Sequence, residues 1–197
     1  MVLLGVVAWG GELALTSLTV QALKPSYQTV WALLDGNYTT GSLPGGVARL
    51  DPEAEAVRTA GNQAVVPGAL RLIPFAALGG WLFWRRGAQD AHAEAAFLGL
   101  TVILFMLWSP GWSPQWSVLL APLILLNFPT RGGVLVALVL ISLALVEYPL
   151  LFRLGAGEDN VMDGAYRLPL AGLILARTAL LVGLAGALYP RWQGTRP

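Results

Sequence analysis

The residues with the most potential for chemistry lie between two apolar segments, in a run that reads Trp-Ser-Pro-Gly-Trp-Ser-Pro-Gln-Trp over residues 108–116. Each proline removes an amide donor and disfavours helix in the serine before it, so the backbone leaves helical geometry and exposes carbonyl groups. The amide of Gln115 offers two donors and an acceptor that suit sugar hydroxyls. Alternatively, the run is a proline-rich turn in which Trp108 and Trp112 belong to the aromatic belt of a membrane protein.

Four ionisable residues lie inside the apolar segments, Glu12 and Arg177 near the middle and Arg71 and Glu147 nearer the ends. Burying an ionisable group in a membrane costs free energy unless the group is paired or hydrated, so each of the four is a candidate functional residue. Because a guanidinium binds phosphate oxygens bidentately, Arg71 and Arg177 could face a cavity and hold the phosphate of a lipid-linked ligand. Alternatively, Arg177 forms a structural ion pair with Glu12 or Glu147.

Asp35 is a candidate functional carboxylate in the hydrophilic stretch, and Asn37 lies close to it in sequence. The alternative is an Asp-Gly turn in which Asp35 and Gly36 end a helix. The other polar candidates are interpreted as solvated or surface residues whose spacing predicts no metal site: Asp51, Glu53, Glu55, His92, Asp159 and Asp163.

The composition excludes several classes of protein. Of the 197 residues, 56% are hydrophobic and 12% are charged, against about 25% charged in a soluble domain; the mean hydropathy is +0.64. The net charge of +1 provides no basic surface for nucleic acid. Without cysteine and with one histidine, the chain cannot build disulfides, cysteine zinc sites or His-containing triads by itself. We expect a membrane protein with neither a metal nor a cofactor.

Six stretches are long and apolar enough to predict an all-α, polytopic transmembrane helical bundle that forms one domain over residues 1–197. They cover residues 2–23, 64–84, 91–108, 112–128, 132–152 and 168–189. Arginines accumulate in cytoplasmic loops. One side of the predicted bundle has Arg85, Arg86, Arg131, Arg191 and Arg196, and the other has Arg153 and Arg167. This asymmetry predicts that both termini are cytoplasmic.

The hydrophilic residues 24–63 then form an extracytoplasmic loop. Its start has the pattern of an interfacial helix, which Ser26 could cap and Gly36 could end. The apolar side chains at i, i+3, i+4 and i+7 are Tyr27, Val30, Trp31 and Leu34. The first apolar segment lacks the basic start and the cleavage site of a signal peptide, so we expect it to remain as a span.

Two short motifs resemble a known family. The Ser-Pro-Gln-Trp at residues 113–116, followed by an apolar stretch with Ala-Pro-Leu, resembles the Ser-Pro-Gln-aromatic segment of GT-C membrane glycosyltransferases. It is similar in particular to that of bacterial polyprenol-phosphate-mannose-dependent mannosyltransferases. Residues 26–37, Ser-Tyr-Gln-Thr-Val-Trp-Ala-Leu-Leu-Asp-Gly-Asn, resemble a segment upstream of that motif.

The resemblance implies a hexosyltransferase of the bacterial plasma membrane, moving mannose from a polyprenyl-phosphate donor to a lipid or glycan acceptor on the outer face. The catalytic carboxylate of those enzymes lies on an earlier outer loop, so the chain is expected to be the C-terminal part of such an enzyme, and its catalytic residue stays unknown. The expected substrate-binding residues are Gln28, Asp35, Asn37, Arg71, Ser113, Gln115, Trp116 and Arg177.

An alternative is a small polytopic transporter or a lipid-binding assembly subunit without catalytic activity. In that hypothesis Glu12, Glu147 and Arg177 line a translocation path. No inverted repeat is evident between the first three and last three spans, which favours the enzyme.

Overall fold

The computed structural model describes residues 9–11, 25–40, 61–85, 90–157 and 161–194. Within these ranges the protein is all-α, and no strand longer than an isolated bridge occurs. The elements are α1 (Val30–Asp35), α2 (Gly68–Trp84), α3 (Ala91–Trp108), α4 (Trp116–Asn127), α5 (Arg131–Leu145), a π-helical turn (Val146–Leu151), α6 (Phe152–Gly155) and α7 (Gly164–Trp192).

Three helical stretches in the described part of the chain are long and apolar enough to cross a membrane: α3, the run from α5 to α6, and α7. They match the third, fifth and sixth predicted spans and indicate a membrane protein. The helices α2 and α4 match the second and fourth predicted spans but are shorter. At 12 residues, α4 rises only about 18 Å, so a crossing at α4 stays a prediction.

The bundle is built around the long helix α7, which packs most extensively against α3, while α4 packs against α3 and α5. Leu100, Ile103, Leu120 and Leu184 are among the residues of the shared apolar core. The outward faces are apolar too. Val118 is 69% exposed and Leu135 is 61% exposed, an arrangement that suits lipid contact better than water.

The loops that were predicted to share one side of the membrane meet at one end of the bundle. Tyr27 pairs with Gly111, and Thr39 pairs with Val161. At the opposite end, the Trp81 ring stacks on Tyr189, with a centroid distance of 6.0 Å. The ends of α2 and α7 therefore lie at the end of the bundle opposite to these loops, and the full order of six spans stays a prediction. Their orientation relative to the two faces of a membrane stays a prediction.

The helix expected after Ser26 forms later than predicted. Thr29, and not Ser26, is the N-cap of α1, because the Thr29 hydroxyl accepts a hydrogen bond from the Ala32 amide. The predicted end is confirmed: Gly36 adopts the left-handed conformation at φ 72°, which glycine tolerates without steric cost. An interfacial position for this helix stays a prediction.

Several sequence predictions fall outside the described residues. These are nearly all of the first span, with Glu12, and the remainder of the outer loop, with Asp51, Glu53 and Glu55. Arg86, Asp159 and Arg196 also lie outside the described residues.

Candidate functional site

An open cleft of about 450 Å³ lies at the end of the bundle where the loops meet. This volume falls within the usual range of small-molecule sites. Three segments form its wall, namely residues 27–40, residues 112–115 and the start of α6 with the π-helical turn. The lining residues are Tyr27, Gln28, Thr40, Trp112, Ser113, Pro114, Gln115, Tyr148 and Phe152.

Backbone hydrogen bonds hold the two sequence motifs together. The Tyr27 amide donates to the Pro110 carbonyl at 3.0 Å, and the Trp112 amide donates to the Tyr27 carbonyl at 3.2 Å. The Thr29 hydroxyl adds a bond of 3.0 Å to the Pro110 carbonyl. The Pro110 carbonyl is available because the first Ser-Pro step interrupts the helix, as the sequence predicts.

Gly111 permits this close approach. A Cβ atom at residue 111 would lie 2.3 Å from two atoms of the Tyr27 ring. No side chain fits in that gap unless the ring or the backbone moves. The glycine between the two Ser-Pro steps is therefore a steric requirement of the cleft.

Arg177 reaches the cleft from beneath. Its guanidinium donates hydrogen bonds to the Glu147 carboxylate and to the Gln28 carbonyl, and lies 4.1 Å from the centre of a Trp112 ring. Arg177 is 2% exposed and Glu147 is 0% exposed. Of the two partners considered for Arg177, Glu147 is bound to it, and Glu12 lies outside the described residues. The Glu147–Arg177 pair connects α7 and the π-helical turn to both cleft motifs.

Gln28 occupies an unusual position in the cleft. Its backbone has a positive φ of 55°, and its side-chain amide donates to the Thr40 carbonyl. Three buried polar atoms near it have no hydrogen-bond partner among the residues that the structure describes: Gln28 Oε1, Trp112 Nε1 and Glu147 Oε1. Because most buried polar atoms in proteins are hydrogen-bonded, such a concentration marks a place that a polar ligand could satisfy.

Asp35 and Arg71 form a second buried cluster. Nη2 of Arg71 lies 2.8 Å and 2.7 Å from the two Asp35 oxygens, and its guanidinium lies 4.8 Å from the Trp31 ring centre. Burial acts to raise the pKa of Asp35, but hydrogen bonds from Ser26, Arg71 and the Val65 amide, with the Arg71 charge, lower it overall below 3.8. The carboxylate therefore stays ionised and bound to its partners.

Asn37 extends this cluster toward the next segment. Its Oδ1 accepts a hydrogen bond of 2.7 Å from the Asn62 amide, and its Nδ2 donates to the Asn62 carbonyl at 3.2 Å. The Asn62 side chain in turn donates to the Asp35 carbonyl at 3.0 Å. Asn37 thus joins the start of the long loop to the residues that lead into α2.

The predicted site residues separate into three groups. Gln28, Ser113 and Gln115 line the cleft, and Arg177 lies beneath it. Trp116 packs on Trp112. The third group forms the separate ion-pair cluster and is not part of the lining: Asp35, Asn37 and Arg71.

Sequence reasoning missed other members of the site. Tyr27 lies inside the upstream motif and Thr40 lies three residues after it, but neither residue type signals a cleft. Tyr148 and Phe152 lie where the fifth predicted span is interrupted, and Pro149 was the one available signal of that break. The hydroxyl of Ser26, expected to cap a helix, binds the Asp35 carboxylate instead.

The cleft is suited to binding a polar, uncharged molecule with an apolar face. Its described lining combines aromatic rings, hydroxyl groups and amides and contains no Asp, Glu, Lys, Arg or His. In the part of the chain that the structure describes, no group of three metal-ligating side chains comes together. Comparison with protein-family models, characterised proteins and solved structures finds no match to this chain.

Proposed function

We propose that this protein is a membrane glycosyltransferase, or the C-terminal part of one, that transfers a hexose from a polyprenyl-phosphate donor on the extracytoplasmic face of a bacterial plasma membrane. Mannose is the proposed hexose. A lipid or glycan is the acceptor. One observation supports this above others: the two motifs that resemble the mannosyltransferases, far apart in sequence, meet in one open cleft.

The chemistry of the cleft supports a saccharide ligand. A pyranose has an apolar face that packs on aromatic rings, such as Tyr27 and Tyr148, and hydroxyls that need amide and hydroxyl partners, such as Gln115 and Ser113. A purely apolar ligand would leave these polar groups unmatched. The arrangement therefore favours a sugar over a lipid tail as the occupant.

The proposal assigns no catalytic base. Inverting sugar transfer needs a carboxylate that takes a proton from the acceptor hydroxyl, and the described lining of the cleft contains none. Asp35 is bound by Arg71, and Glu147 is bound by Arg177. A role for either arginine in holding the donor phosphate stays a prediction, and it would require that arginine to leave a buried carboxylate.

Binding of the donor tests the proposal. The purified chain is reconstituted in lipid nanodiscs and titrated with polyprenyl-phosphate mannose, with unglycosylated polyprenyl phosphate as the reference ligand. We expect the mannosylated lipid to bind more tightly, and Gln115→Ala to weaken it by about tenfold, as for the loss of one or two hydrogen bonds. Gln193→Ala, at the opposite end of the bundle, is the matched control. Equal affinity for the two lipids would contradict a sugar site.

A transporter or lipid-binding subunit is the second candidate, and the buried Glu147–Arg177 pair inside the apolar helices is the observation that favours it. Flux of a sugar or lipid across reconstituted vesicles that disappears in Glu147→Gln, but persists in Gln115→Ala, would support this candidate over the enzyme.

A further inference from the structure

We propose that the end of the bundle opposite the cleft binds the headgroup of an anionic phospholipid. The proposed site consists of three rings with two arginines beside them, and these five residues form the end cluster: Trp81, Arg85, Tyr189, Arg191 and Trp192. The predicted topology places this end in the cytoplasmic leaflet, where anionic lipids concentrate. The site is separate from the cleft, so it does not depend on the proposed glycosyltransferase function.

The rings of the end cluster join the ends of α2 and α7. Trp81 stacks on Tyr189 at a centroid distance of 6.0 Å and an interplanar angle of 9°. Trp192 lies 6.0 Å from Trp81 and 5.5 Å from Tyr189. Amphipathic rings at the end of a membrane helix favour the level of the lipid headgroups. We therefore expect the end cluster at the depth at which a phospholipid presents its phosphate.

The two guanidinium groups contact rings and not carboxylates. Arg85 lies 5.9 Å from the Trp81 ring centre, and Arg191 lies 4.3 Å from the Phe128 ring centre. Among the described residues, neither arginine forms an ion pair. A ring contact restrains a guanidinium without using its N–H donors, which match the oxygens of a phosphate. Both arginines are therefore available to an external anion.

The described acids at this end of the bundle do not bind the two arginines. Asp90 is the N-cap of α3, and Glu94 lies in its first turn. The Asp90 carboxylate accepts a hydrogen bond of 2.7 Å from the Ala93 amide. Neither acid forms an ion pair with an arginine of the end cluster. The acids of α3 therefore leave the cationic part of the cluster open to a ligand.

A buried donor in the end cluster lacks a partner. Trp192 is 5% exposed, and its Nε1 has no hydrogen-bond acceptor among the residues that the structure describes. Most buried polar atoms in proteins are hydrogen-bonded. Phosphate and glycerol oxygens accept hydrogen bonds from indole and guanidinium groups alike. A headgroup thus matches both kinds of donor after a small side-chain adjustment, as is common on binding.

The surface of α2 favours a lipid over a free phosphate ion. Leu78, Trp81 and Arg85 are spaced at i, i+3 and i+7, so they share one face of the helix. Leu78 is 44% exposed and Trp81 is 40% exposed. The face runs from an apolar side chain to a cation, which is the order in which a phospholipid presents its acyl chain and its phosphate. A free phosphate ion would contact only the cationic end.

The test measures lipid binding to the full chain in detergent by native mass spectrometry. The probes are phosphatidylglycerol and phosphatidylcholine with identical acyl chains, and glycerol 3-phosphate is the soluble analogue of the headgroup. We expect phosphatidylglycerol to bind about tenfold more tightly than phosphatidylcholine, and glycerol 3-phosphate not to bind at the same concentration. Equal affinity for the two phospholipids would overturn the proposal. Binding of glycerol 3-phosphate as tight as that of phosphatidylglycerol would overturn the assignment to a lipid.

Three variants assign the binding to the end cluster. Arg85→Gln and Arg191→Gln should each weaken phosphatidylglycerol by about fivefold, as for the loss of one cation at a membrane surface. Trp192→Phe keeps a ring but removes the indole donor, and it should weaken the lipid by about threefold. Arg131→Gln is the matched control, because Arg131 is exposed at the same end and has no ring contact or ion pair within the described ranges. Its effect should stay below about twofold.

The control distinguishes a defined site from a general attraction between basic residues and anionic lipid. An equal loss of affinity in Arg131→Gln and in the two cluster arginine variants would indicate general attraction and overturn the proposal. If Trp192→Phe unfolds, Arg85→Gln at an exposed residue gives the comparison without a change in the core. The end cluster shares no residue with the described lining of the cleft, so a negative result here leaves the proposed function standing.

Discussion

Arg177 links three features that sequence inspection treats separately: a charged residue in a span, the upstream motif and the tryptophan-rich run. It binds Glu147 and the Gln28 carbonyl and packs on Trp112. Glu147 is fully buried, and within the described residues the Arg177 guanidinium is the cation that balances its negative charge. Arg177 is therefore a positioning residue for the floor of the cleft.

Arg177→Leu should destabilise the protein by about 3–5 kcal/mol, because it leaves the Glu147 carboxylate buried without a partner. The double variant Arg177→Leu with Glu147→Leu should recover most of that loss, since neither charge remains. Reversible unfolding in detergent, followed by circular dichroism, measures both values. A double variant that is no more stable than Arg177→Leu would contradict the pairing.

Asp35 should make stability depend on pH at the acidic end. Its pKa in the folded protein is lowered below 3.8 by Ser26, Arg71 and the Val65 amide, which outweigh the effect of burial. The stabilisation from Asp35 is thus present above its unfolded pKa and is lost as the pH falls through the lower folded pKa. Asp35→Asn should lower the unfolding free energy at pH 7 and flatten the decrease below about pH 4. An unchanged acid limb in Asp35→Asn would contradict this assignment.

The turn between α4 and α5 requires a glycine at residue 133, where a side chain would clash with Phe128. A Cβ at Gly133 would lie 2.0 Å from the Phe128 carbonyl oxygen, whereas a Cβ at Gly132 would lie 3.6 Å from Thr130 Oγ1. Thr130 caps α5 by accepting from the Gly133 amide, so a shift at this residue also disturbs the cap. The two neighbouring glycines therefore form a matched pair for mutation.

Gly133→Ala should destabilise the protein by about 1–3 kcal/mol through overpacking. Gly132→Ala should be neutral or stabilising by up to about 1 kcal/mol, because alanine is the better helix former and its contact there is ordinary. Thermal unfolding of both variants in the same detergent gives the comparison. Equal changes in stability for Gly133→Ala and Gly132→Ala would show that the close contact with Phe128 does not limit the residue type at 133.

The contact between the two cleft motifs also requires a glycine, because the Tyr27 ring packs directly against Gly111. Gly111→Ala should push the Tyr27 ring away from the run at residues 108–116 and weaken saccharide binding by about tenfold or more. The double variant with Tyr27→Ala removes the clash and should restore the stability of the fold, though not the ring contact. Binding and unfolding measured on the same samples separate these two effects.

At the level of the whole molecule, the loops that share one end of the bundle should share one side of the membrane. The natural chain has no cysteine, so single cysteines can be introduced without background. We expect a membrane-impermeant maleimide to label Gln63→Cys and Gly157→Cys in intact cells, and Gly132→Cys and Gly194→Cys only after permeabilisation. The opposite pattern would reverse the predicted topology and place the cleft in the cytoplasm.

The long helices were predictable because each depends on local composition. A continuous apolar stretch must form helix in a membrane wherever it lies, so α3, α5 and α7 appear where expected. The end of α3 at Trp108 was predictable because Pro110 disfavours helical geometry in Ser109. By contrast, the partner of Asp35 was not predictable, since Arg71 lies 36 residues away and only helix packing brings the two together. The partner of Ser26 was not predictable either. Its local pattern indicates a helix cap, but Thr29 caps α1 and the Ser26 hydroxyl binds Asp35.

The amino-acid sequence by itself determined the class of protein, the positions of most helices, the break at the tandem Ser-Pro steps and the left-handed end of α1 at Gly36. These features follow from hydrophobicity and from local backbone restrictions, which act over a few residues. The tertiary structure alone decided that Gln28 meets Trp112, that Arg177 binds Glu147, and that Asp35 and Arg71 lie apart from the cleft. Those pairings depend on how helices dock against one another, and docking is a property of whole surfaces that no short stretch of residues contains.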